Sequence, residues 1–540
     1  MKSSILLSAC LFIFLFSLQA QKQIEHQDFD SWKRIRNEQI SNNGKYVVYH
    51  LAPGKGDQIL KISSHEGKEL LSYTRGESSR FTFDSKYVIF TIKPGLEVVN
   101  EFRRKKTKPE DMPKDSLAIF NLQTEQLTKI GNVKSWKVPE KWNGYVVYQS
   151  ASLPSDTSTV NTDKKAKKIN QENGFPLLIH NLSTGVSDSI EFVTDYQLAR
   201  ENDKLIYTTS GVPGKLGEGV YFSDISDKTS IPLLRAKGVF KSLTFDNKGD
   251  QVAFLCDLDT TKALVRDFQL RYWSLGMDSA QLKVNTSTSG MQDHWMVSEH
   301  GILRFSDNAT MLFFGTTPFP VLQDTSRLSE EIINVEVWHY KDKRLYTQQN
   351  VELKKDKMKN YQAVFHILSN KMVQLADEEV SQIKTTFNWD AMLVMGFSDL
   401  RYQREFSWEG WSKDDLYLID IQTGSKKLIK EGVQGFSNLS SGGNYINWFD
   451  QTDSTYYAYH IASGKINNLS SAIKTSLVEE LHDSPILPYP YGFAGNTKND
   501  EAILIYDRYD IWSLDPQNQK APIRLTQGRE STFRSGRPYY

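Results

Sequence analysis

One short pattern recurs nine times along this chain of 540 residues and constrains its fold more than any other feature. Each copy begins with a polar turn containing Asn, Asp or Gly and continues as a short run of β-branched and aromatic residues. This combination is typical of a strand entered from a tight turn. The runs are 46–49, 87–90, 145–148, 205–207, 252–254, 311–314, 392–395, 445–448 and 502–506. Their last residues are 41 to 60 residues apart, except for one interval of 81 residues.

Each run is partnered downstream by a second short strand that closes on another turn, as in 117–124, 177–185, 416–424, 457–464 and 511–516. The Thr-Gly and Ser-Gly pairs at these turns suit hairpins, because Gly adopts a positive φ without steric cost. Three or four antiparallel strands in every roughly 40–60 residues is the size of one propeller blade.

The sequence therefore predicts an all-β fold, a β-propeller of about eight blades (seven to eight), each of four antiparallel strands. A helical solenoid is excluded because no apolar stripe with a helical period persists. A sandwich of unrelated hairpins is the alternative, and the shared turn disfavours it. We expect the ninth copy, near Tyr506, to share a blade with the first, near Tyr46, so that the sheet edges are paired.

The first twenty residues have the pattern of a secretion signal. Lys2 provides the positive start, the run from Ile5 to Leu18 is almost wholly apolar, and Ala20 precedes a polar stretch. The apolar run is too short for a stable membrane span. We expect cleavage near Ala20 and a secreted or periplasmic protein without a membrane span, with an uncleaved anchor as the alternative.

The predicted organisation is a signal peptide (1–20), an N-terminal lead-in (21–40), the propeller (41–526) and a C-terminal tail (527–540).

Charge and cysteine content exclude several classes of protein. Lys plus Arg and Asp plus Glu each number 65, so the formal net charge is zero. A nucleic-acid-binding protein would need a surplus of basic side chains, and we expect no nucleic-acid partner.

With the signal removed, Cys256 would be the only cysteine, which excludes an intrachain disulfide. It lies in the apolar run 252–256, so a buried structural thiol is favoured over a nucleophile.

The sequence patterns of common catalytic sites are absent. There is no Gly-x-Ser-x-Gly elbow, no His-Glu-x-x-His, no Cys-x-x-Cys and no phosphate-binding Gly-rich loop. The ten His occur singly, and several lie in strand patterns, among them His180, His366 and His460. We therefore assign no catalytic, cofactor-binding or metal-binding residue to this chain.

Two insertions interrupt the regular spacing. One is the basic segment 102–109, and the other is the long interval with Trp338–Tyr340 and the helix-tolerant stretch 348–358. Such loops can line an entrance or dock a partner, or they can be solvated hairpins. The solvated hairpin is favoured. The basic run 163–168 is interpreted as a solvated tip. Three Glu pairs could hold a cation or a peptide amino group, although ordinary surface charge is favoured: 330–331, 378–379 and 479–480.

Three segments carry a resemblance to a known family: Pro488–Asp500, Ile505–Pro516 and Trp338–Asp342. Together they resemble the amino-terminal propeller of secreted bacterial prolyl-oligopeptidase-family serine peptidases, a propeller of the WD40-like or dipeptidyl-peptidase-like kind. The resemblance spans residues 21–526. It implies a propeller that admits short peptides to a following α/β-hydrolase domain. Only fourteen residues follow Thr526, so we expect a chain that lacks this domain and is catalytically incompetent alone.

Three interpretations remain open. The first is the propeller portion of a truncated or split peptidase, whose partners are short peptides and a hydrolase domain or partner protein. The second is a stand-alone secreted propeller that binds a peptide, a glycan or an envelope protein. The third is catalysis by the propeller itself, such as glycoside cleavage, which would need clustered carboxylates near the propeller axis.

Overall fold

A computed structural model describes residues 24–151, 169–212, 216–261, 263–322, 324, 326–333 and 335–528 of the chain. The chain divides into two compact units, residues 1–171 with 175–192, and residues 172–174 with 193–540. The predicted signal peptide, the basic run 163–168 and residues 529–540 of the predicted tail lie outside the described residues.

The first unit consists mainly of antiparallel strands in chain order. They are β1 (Lys33–Ile40), β2 (Tyr46–Pro53), β3 (Ile59–Ser64), β4 (Glu69–Thr74), β5 (Gly76–Phe81), β6 (Tyr87–Ile92), β7 (Asp115–Asn121), β8 (Leu127–Lys137), β9 (Tyr145–Ser150), β10 (Phe175–Asn181) and the first half of β11 (Ser187–Leu198). Strands β1 to β4 form one four-stranded sheet. The long strand β8 pairs with β7 through its first half and with β9 through its second half.

The second unit continues the same pattern from the second half of β11. Its strands are β12 (Lys204–Thr209), β13 (Gly219–Asp224), β14 (Thr229–Arg235), β15 (Val239–Phe245), β16 (Gln251–Asp257), β17 (Gln269–Ser274), β18 (Gln281–Val284), β19 (Trp295–Val297), β20 (Arg304–Phe305), β21 (Met311–Pro318), β22 (Tyr361–His366), β23 (Lys371–Gln374), β24 (Gln382–Lys384), β25 (Leu393–Ser398), β26 (Asp414–Asp420), β27 (Lys426–Val433), β28 (Ser437–Leu439), β29 (Tyr445–Asp450), β30 (Thr455–His460), β31 (Lys465–Asn468), β32 (Phe493–Asn496), β33 (Ile503–Tyr506), β34 (Ile511–Leu514) and β35 (Ile523–Arg524). Strands β15–β18, β24–β27, β28–β31 and β32–β35 each form a four-stranded antiparallel sheet, whereas β19 and β20 both pair with β21 ahead of β22 and β23.

The predicted fold class, an all-β chain of four-stranded antiparallel propeller blades, is confirmed, although the described strands group into nine such units and not the seven to eight expected. Each of the nine sequence runs supplies a second strand of such a unit: β2, β6, β9, β12, β16, β21, β25, β29 and β33. The ninth run does not share a sheet with the first, contrary to our expectation, because β33 pairs with β32 and β34 and β2 pairs with β1 and β3. Strand β1 lies inside the segment 21–40 that we expected to be a lead-in, so the first sheet begins before residue 41.

The apolar runs form second strands because these strands are buried on both faces. Five consecutive residues of β6, from Val88 to Ile92, are buried, and all six residues of β29 are buried. A strand covered on both sides reads as a continuous apolar run rather than an alternating one. In the first unit, Val48 and Leu60 of one sheet pack with Phe90 and Ala118 of the next, which places a core between consecutive sheets.

The shared polar turn has a common hydrogen-bonding pattern. The Ser41 hydroxyl donates to Asn43 Oδ1 at 2.8 Å and accepts from the Tyr46 backbone N–H, which begins β2, at 3.0 Å. The hydroxyl therefore fixes the turn and satisfies the first N–H of the strand. The same hydroxyl-to-strand bond occurs in the turns that begin at Thr82, Ser306 and Ser440, and the Thr497 hydroxyl accepts from the N–H of Ala502, just before β33. The hairpin glycines Gly185, Gly424 and Gly464 have φ values of 73°, 75° and 70°.

In the part of the chain that the structure describes, four α-helices accompany the strands: α1 (His26–Ser31), α2 (Leu96–Arg104), α3 (Tyr346–Lys357) and α4 (Phe406–Glu409). The last three lie between the second and third strands of their sheets. Helix α2 and the 3₁₀ turn Pro109–Asp111 replace the solvated hairpin expected around 102–109, whereas the helix-tolerant stretch 348–358 does form most of α3. Within the described ranges, no helix is both long and apolar enough to cross a membrane.

Candidate functional site

A cavity of about 360 Å³ lies in the second unit, between two connections that leave the regular blades. One wall comes from the connection between β21 and β22, which includes α3. The other wall comes from the connection between β25 and β26, which includes α4. The long interval in the sequence repeat therefore contributes to a concave site, not to a simple hairpin.

A tight turn displays the first wall. The backbone N–H of His339 donates to Asp342 Oδ2 at 3.2 Å, and the Asp342 N–H donates to the His339 carbonyl at 3.0 Å. The Lys341 N–H donates to His339 Nδ1 at 3.2 Å. These bonds define the turn, and the side chains of Trp338 and Tyr340 are exposed on its surface.

Aromatic rings dominate the cavity lining. Trp338 and Tyr346 lie with ring centroids 5.1 Å apart at 34°, and Trp408 faces the cavity from the second wall. Trp338 is 65% exposed, Tyr340 73% and Trp408 65%. Large aromatic side chains left in water at a concave surface are typical contact groups for ligands.

Arg344 joins the first wall to α3. Its Nη1 contacts Glu352 at 2.5 Å, and its Nη2 contacts Asp356 at 2.8 Å. These two carboxylates, with Asp356 contributing most, raise the pKa of the Arg344 guanidinium. The charge of Arg344 is therefore already compensated within the wall, and its role is to position the segment that precedes α3.

The second wall is held by polar contacts behind the cavity. The Tyr402 hydroxyl donates to Asp415 Oδ1 at 2.7 Å, and Gln403 Nε2 donates to Asp399 Oδ1 at 2.9 Å. These bonds place Gln403 and Arg404 on the cavity surface. The stretch Phe406–Trp411, with three aromatic residues, was not singled out by our sequence analysis, although exposed aromatic residues in a blade connection are a signal that could have identified it.

The remaining sequence candidates do not assemble into a second site. Glu480 contacts Arg508 at 3.1 Å, while the carboxylate of Glu331 caps the backbone N–H of Leu328. His180 and His460 hydrogen-bond to hydroxyls at 2.8 Å, and His366 contacts the Ile421 carbonyl at 3.1 Å. Among the residues that the structure describes, no group of three His, Cys, Asp or Glu could hold a metal ion.

Cys256 lies in the core of the second unit with no exposed surface. Burial raises the pKa of its thiol. A thiol that is both inaccessible and protonated is a packing residue, as the sequence pattern indicated.

Comparison with known proteins gives structural likenesses at low identity. No family model and no curated protein matches the chain. Similar solved structures include a prolyl endopeptidase at 12% identity, covering 80% of this chain and 55% of that chain with a TM-score of 0.35. A eukaryotic initiation factor has 11% identity, 81% and 88% coverage and a TM-score of 0.40. The β-propeller domain of the Trilobed protease from Pyrococcus furiosus has 9% identity, 74% and 99% coverage and a TM-score of 0.29. This chain thus spans little more than half of the prolyl endopeptidase.

Proposed function

We propose that this chain is the peptide-handling propeller of a prolyl-oligopeptidase-like peptidase. In this proposal it works in an extracytoplasmic space, binds short peptides in the cavity between the β21–β22 and β25–β26 connections, and leaves hydrolysis to a hydrolase domain or partner protein. The resemblance of Pro488–Asp500, Ile505–Pro516 and Trp338–Asp342 to that family supports the proposal.

The aromatic lining of the cavity is the observation that carries this proposal. A volume of about 360 Å³ lies within the range of small-ligand pockets and suits a few residues of an extended peptide, not a folded protein. Exposed Trp and Tyr rings form grooves that accept proline rings and other apolar side chains. Gln348, Gln403 and Ser407 add hydrogen-bonding groups for a peptide backbone.

Titration of the full chain with the tetrapeptide Ala-Ala-Pro-Phe, followed by calorimetry and tryptophan fluorescence, tests the proposal. We expect saturable binding that weakens about tenfold or more in Trp408→Ala and Trp338→Ala, because each removes a stacking surface. Phe387→Ala is the matched control, since Phe387 is 85% exposed but does not line the cavity. Absence of peptide binding, or equal loss in the Phe387 control, would overturn the proposal.

A stand-alone propeller that binds a glycan is the second candidate, and the same exposed aromatic rings favour it, because sugar rings also stack on Trp and Tyr. Binding of oligosaccharides on a glycan array, abolished by Trp408→Ala and without any peptide binding, would support this alternative.

A further inference from the structure

We infer that the cavity holds the C-terminal end of its peptide, with the free α-carboxylate bound by Arg404 and Lys343. This inference rests on the proposed function and names the part of the peptide that the site recognises. The inference is argued from the charged side chains of the cavity lining, which the proposed stacking on aromatic rings does not use.

Four charged residues line the cavity, Asp342, Lys343, Arg344 and Arg404, and one of them is compensated by ion pairs. Arg344 is paired with Glu352 and Asp356, and Asp342 accepts the backbone N–H of His339. The guanidinium of Arg344 is therefore compensated by carboxylates, whereas Asp342 keeps its negative charge.

Lys343 and Arg404 remain. Both are exposed, both line the cavity, and neither forms an ion pair with another residue of the described chain. The neighbouring acidic residue Glu405 is paired with Lys413 at 3.0 Å, so it does not compensate Arg404. Each wall therefore presents one cation that lacks an ion-pair partner, and Asp342 is the one anionic side chain among the lining residues.

An anionic ligand group could bind between the Arg404 guanidinium and the Lys343 ammonium. A guanidinium offers parallel N–H donors that match the two oxygens of a carboxylate, and an ammonium adds a point charge from the opposite side. Two cations from separate connections would also tie the walls together once an anion is bound between them.

The other lining groups favour a peptide end over a simple anion. The side-chain amide of Gln403 donates to Asp399, which leaves its carbonyl oxygen to accept an amide N–H of the ligand. Trp338, Tyr346 and Trp408 provide apolar contact for the last side chains. Phosphate and uronic-acid groups share the anionic chemistry but do not present an amide N–H beside an apolar side chain.

The experiment compares Ala-Ala-Pro-Phe as the free acid with the same peptide as its C-terminal amide, using calorimetry on the full chain. We expect the free acid to bind about tenfold or more tightly than the amide, because only the acid neutralises the two cations. In Arg404→Gln and Lys343→Gln, the preference for the acid should shrink. It should persist in Lys354→Gln, which removes an exposed lysine of α3 outside the cavity.

The outcomes separate this inference from the proposed function. Equal binding of the acid and the amide would overturn the carboxylate assignment while leaving peptide binding intact. Absence of binding by both peptides would overturn the proposed function itself. Competition by inorganic phosphate at the same concentration as the free acid would show a general anion site and would also overturn the assignment. The acid-to-amide ratio on the unmodified chain is independent of how any variant folds.

Discussion

At the residue scale, single buried polar groups hold the blade turns together. Asp500 is 1% exposed and accepts hydrogen bonds from the Ser440 hydroxyl at 2.6 Å, the Gly442 N–H at 2.8 Å and Asn444 Nδ2 at 3.0 Å. These donors belong to the turn before β29, whereas Asp500 belongs to the turn before β33. One carboxylate thus joins two consecutive sheets of the second unit.

Asp500→Ala should destabilise the chain by about 2–4 kcal/mol, because it leaves several buried donors without an acceptor. Urea unfolding followed by tryptophan fluorescence measures this change. Glu501→Ala is the matched control, since Glu501 is exposed in the same turn; it should stay within about 0.5 kcal/mol of the unmodified chain. A loss in Asp500→Ala no larger than in this control would contradict the assignment.

Asp414, at the start of β26, is expected to make the stability of the second unit depend on pH. Burial and the carboxylates of Asp399 and Asp415 raise the pKa of Asp414 to about 6, against the opposing charge of Lys384. An unfolded chain has an Asp pKa of about 3.9. Between these two values the folded chain holds a proton that the unfolded chain has released, so this group lowers stability as pH rises from about 4 to 6.

Asp414→Asn should therefore raise the free energy of unfolding by about 1–2 kcal/mol at roughly pH 7.5 and change it little at roughly pH 4. Urea unfolding at several pH values measures the difference. Asp278→Asn, at an exposed position, is the matched control and should leave the free energy of unfolding within about 0.5 kcal/mol of the unmodified chain. An equal effect of Asp414→Asn at both pH values would exclude titration as the cause.

At the element scale, the second strands of the blades were predictable, while the first strands and the cavity were not. The second strands combine a continuous apolar run with the hydroxyl-and-Asn turn, and both signals are local in the sequence. Strand β1, in contrast, reads Lys-Arg-Ile-Arg-Asn-Glu-Gln-Ile and is exposed at all but one position, so it has no apolar pattern to detect. It forms a strand because β2 offers it hydrogen-bonding partners.

The candidate site was predictable only in part for a related reason. Trp338–Asp342 stood out as a segment, but its partner Gln403–Trp408 lies in the next blade connection. Neither segment has the regular period of a strand or helix face, and their proximity depends on the packing of consecutive sheets. The solvated hairpin expected at 102–109 was wrong. That prediction considered only the basic residues and not the apolar positions just before them, which belong to α2.

Helix α2 offers an element-scale test in the first unit. Its N-terminal residue Leu96 follows Gly95, which has no side chain to cap the helix, and the Leu96 N–H is bound instead by Asp57 Oδ1 at 3.0 Å. Asp57→Ala should destabilise α2 by about 0.5–1.5 kcal/mol, seen as faster hydrogen exchange in 96–104. Asp57→Asn keeps the acceptor and should retain most of the protection. Equal exchange in both variants would show that Asp57 does not cap the helix.

At the scale of the whole molecule, the question is whether this chain can cleave peptides without a partner. Two His–Ser hydrogen bonds occur in the described residues, His180 with Ser187 and His460 with Ser463. Each joins residues of one hairpin, and the His460 ring also stacks on Tyr445 at 4.9 Å. A nucleophilic serine needs a general base that is itself oriented by a third group, and no carboxylate contacts either imidazole among the described residues.

We therefore expect the purified full chain to bind Ala-Ala-Pro-Phe but neither to hydrolyse its chromogenic anilide nor to react with a fluorophosphonate probe. A prolyl oligopeptidase assayed beside it provides the positive control for both reagents. Labelling of this chain that is lost in Ser187→Ala or Ser463→Ala would identify a nucleophile. It would contradict the proposal that hydrolysis is left to a hydrolase domain or partner protein. Binding without turnover would agree with the proposed peptide-binding role, since no activated nucleophile lines the cavity among the described residues.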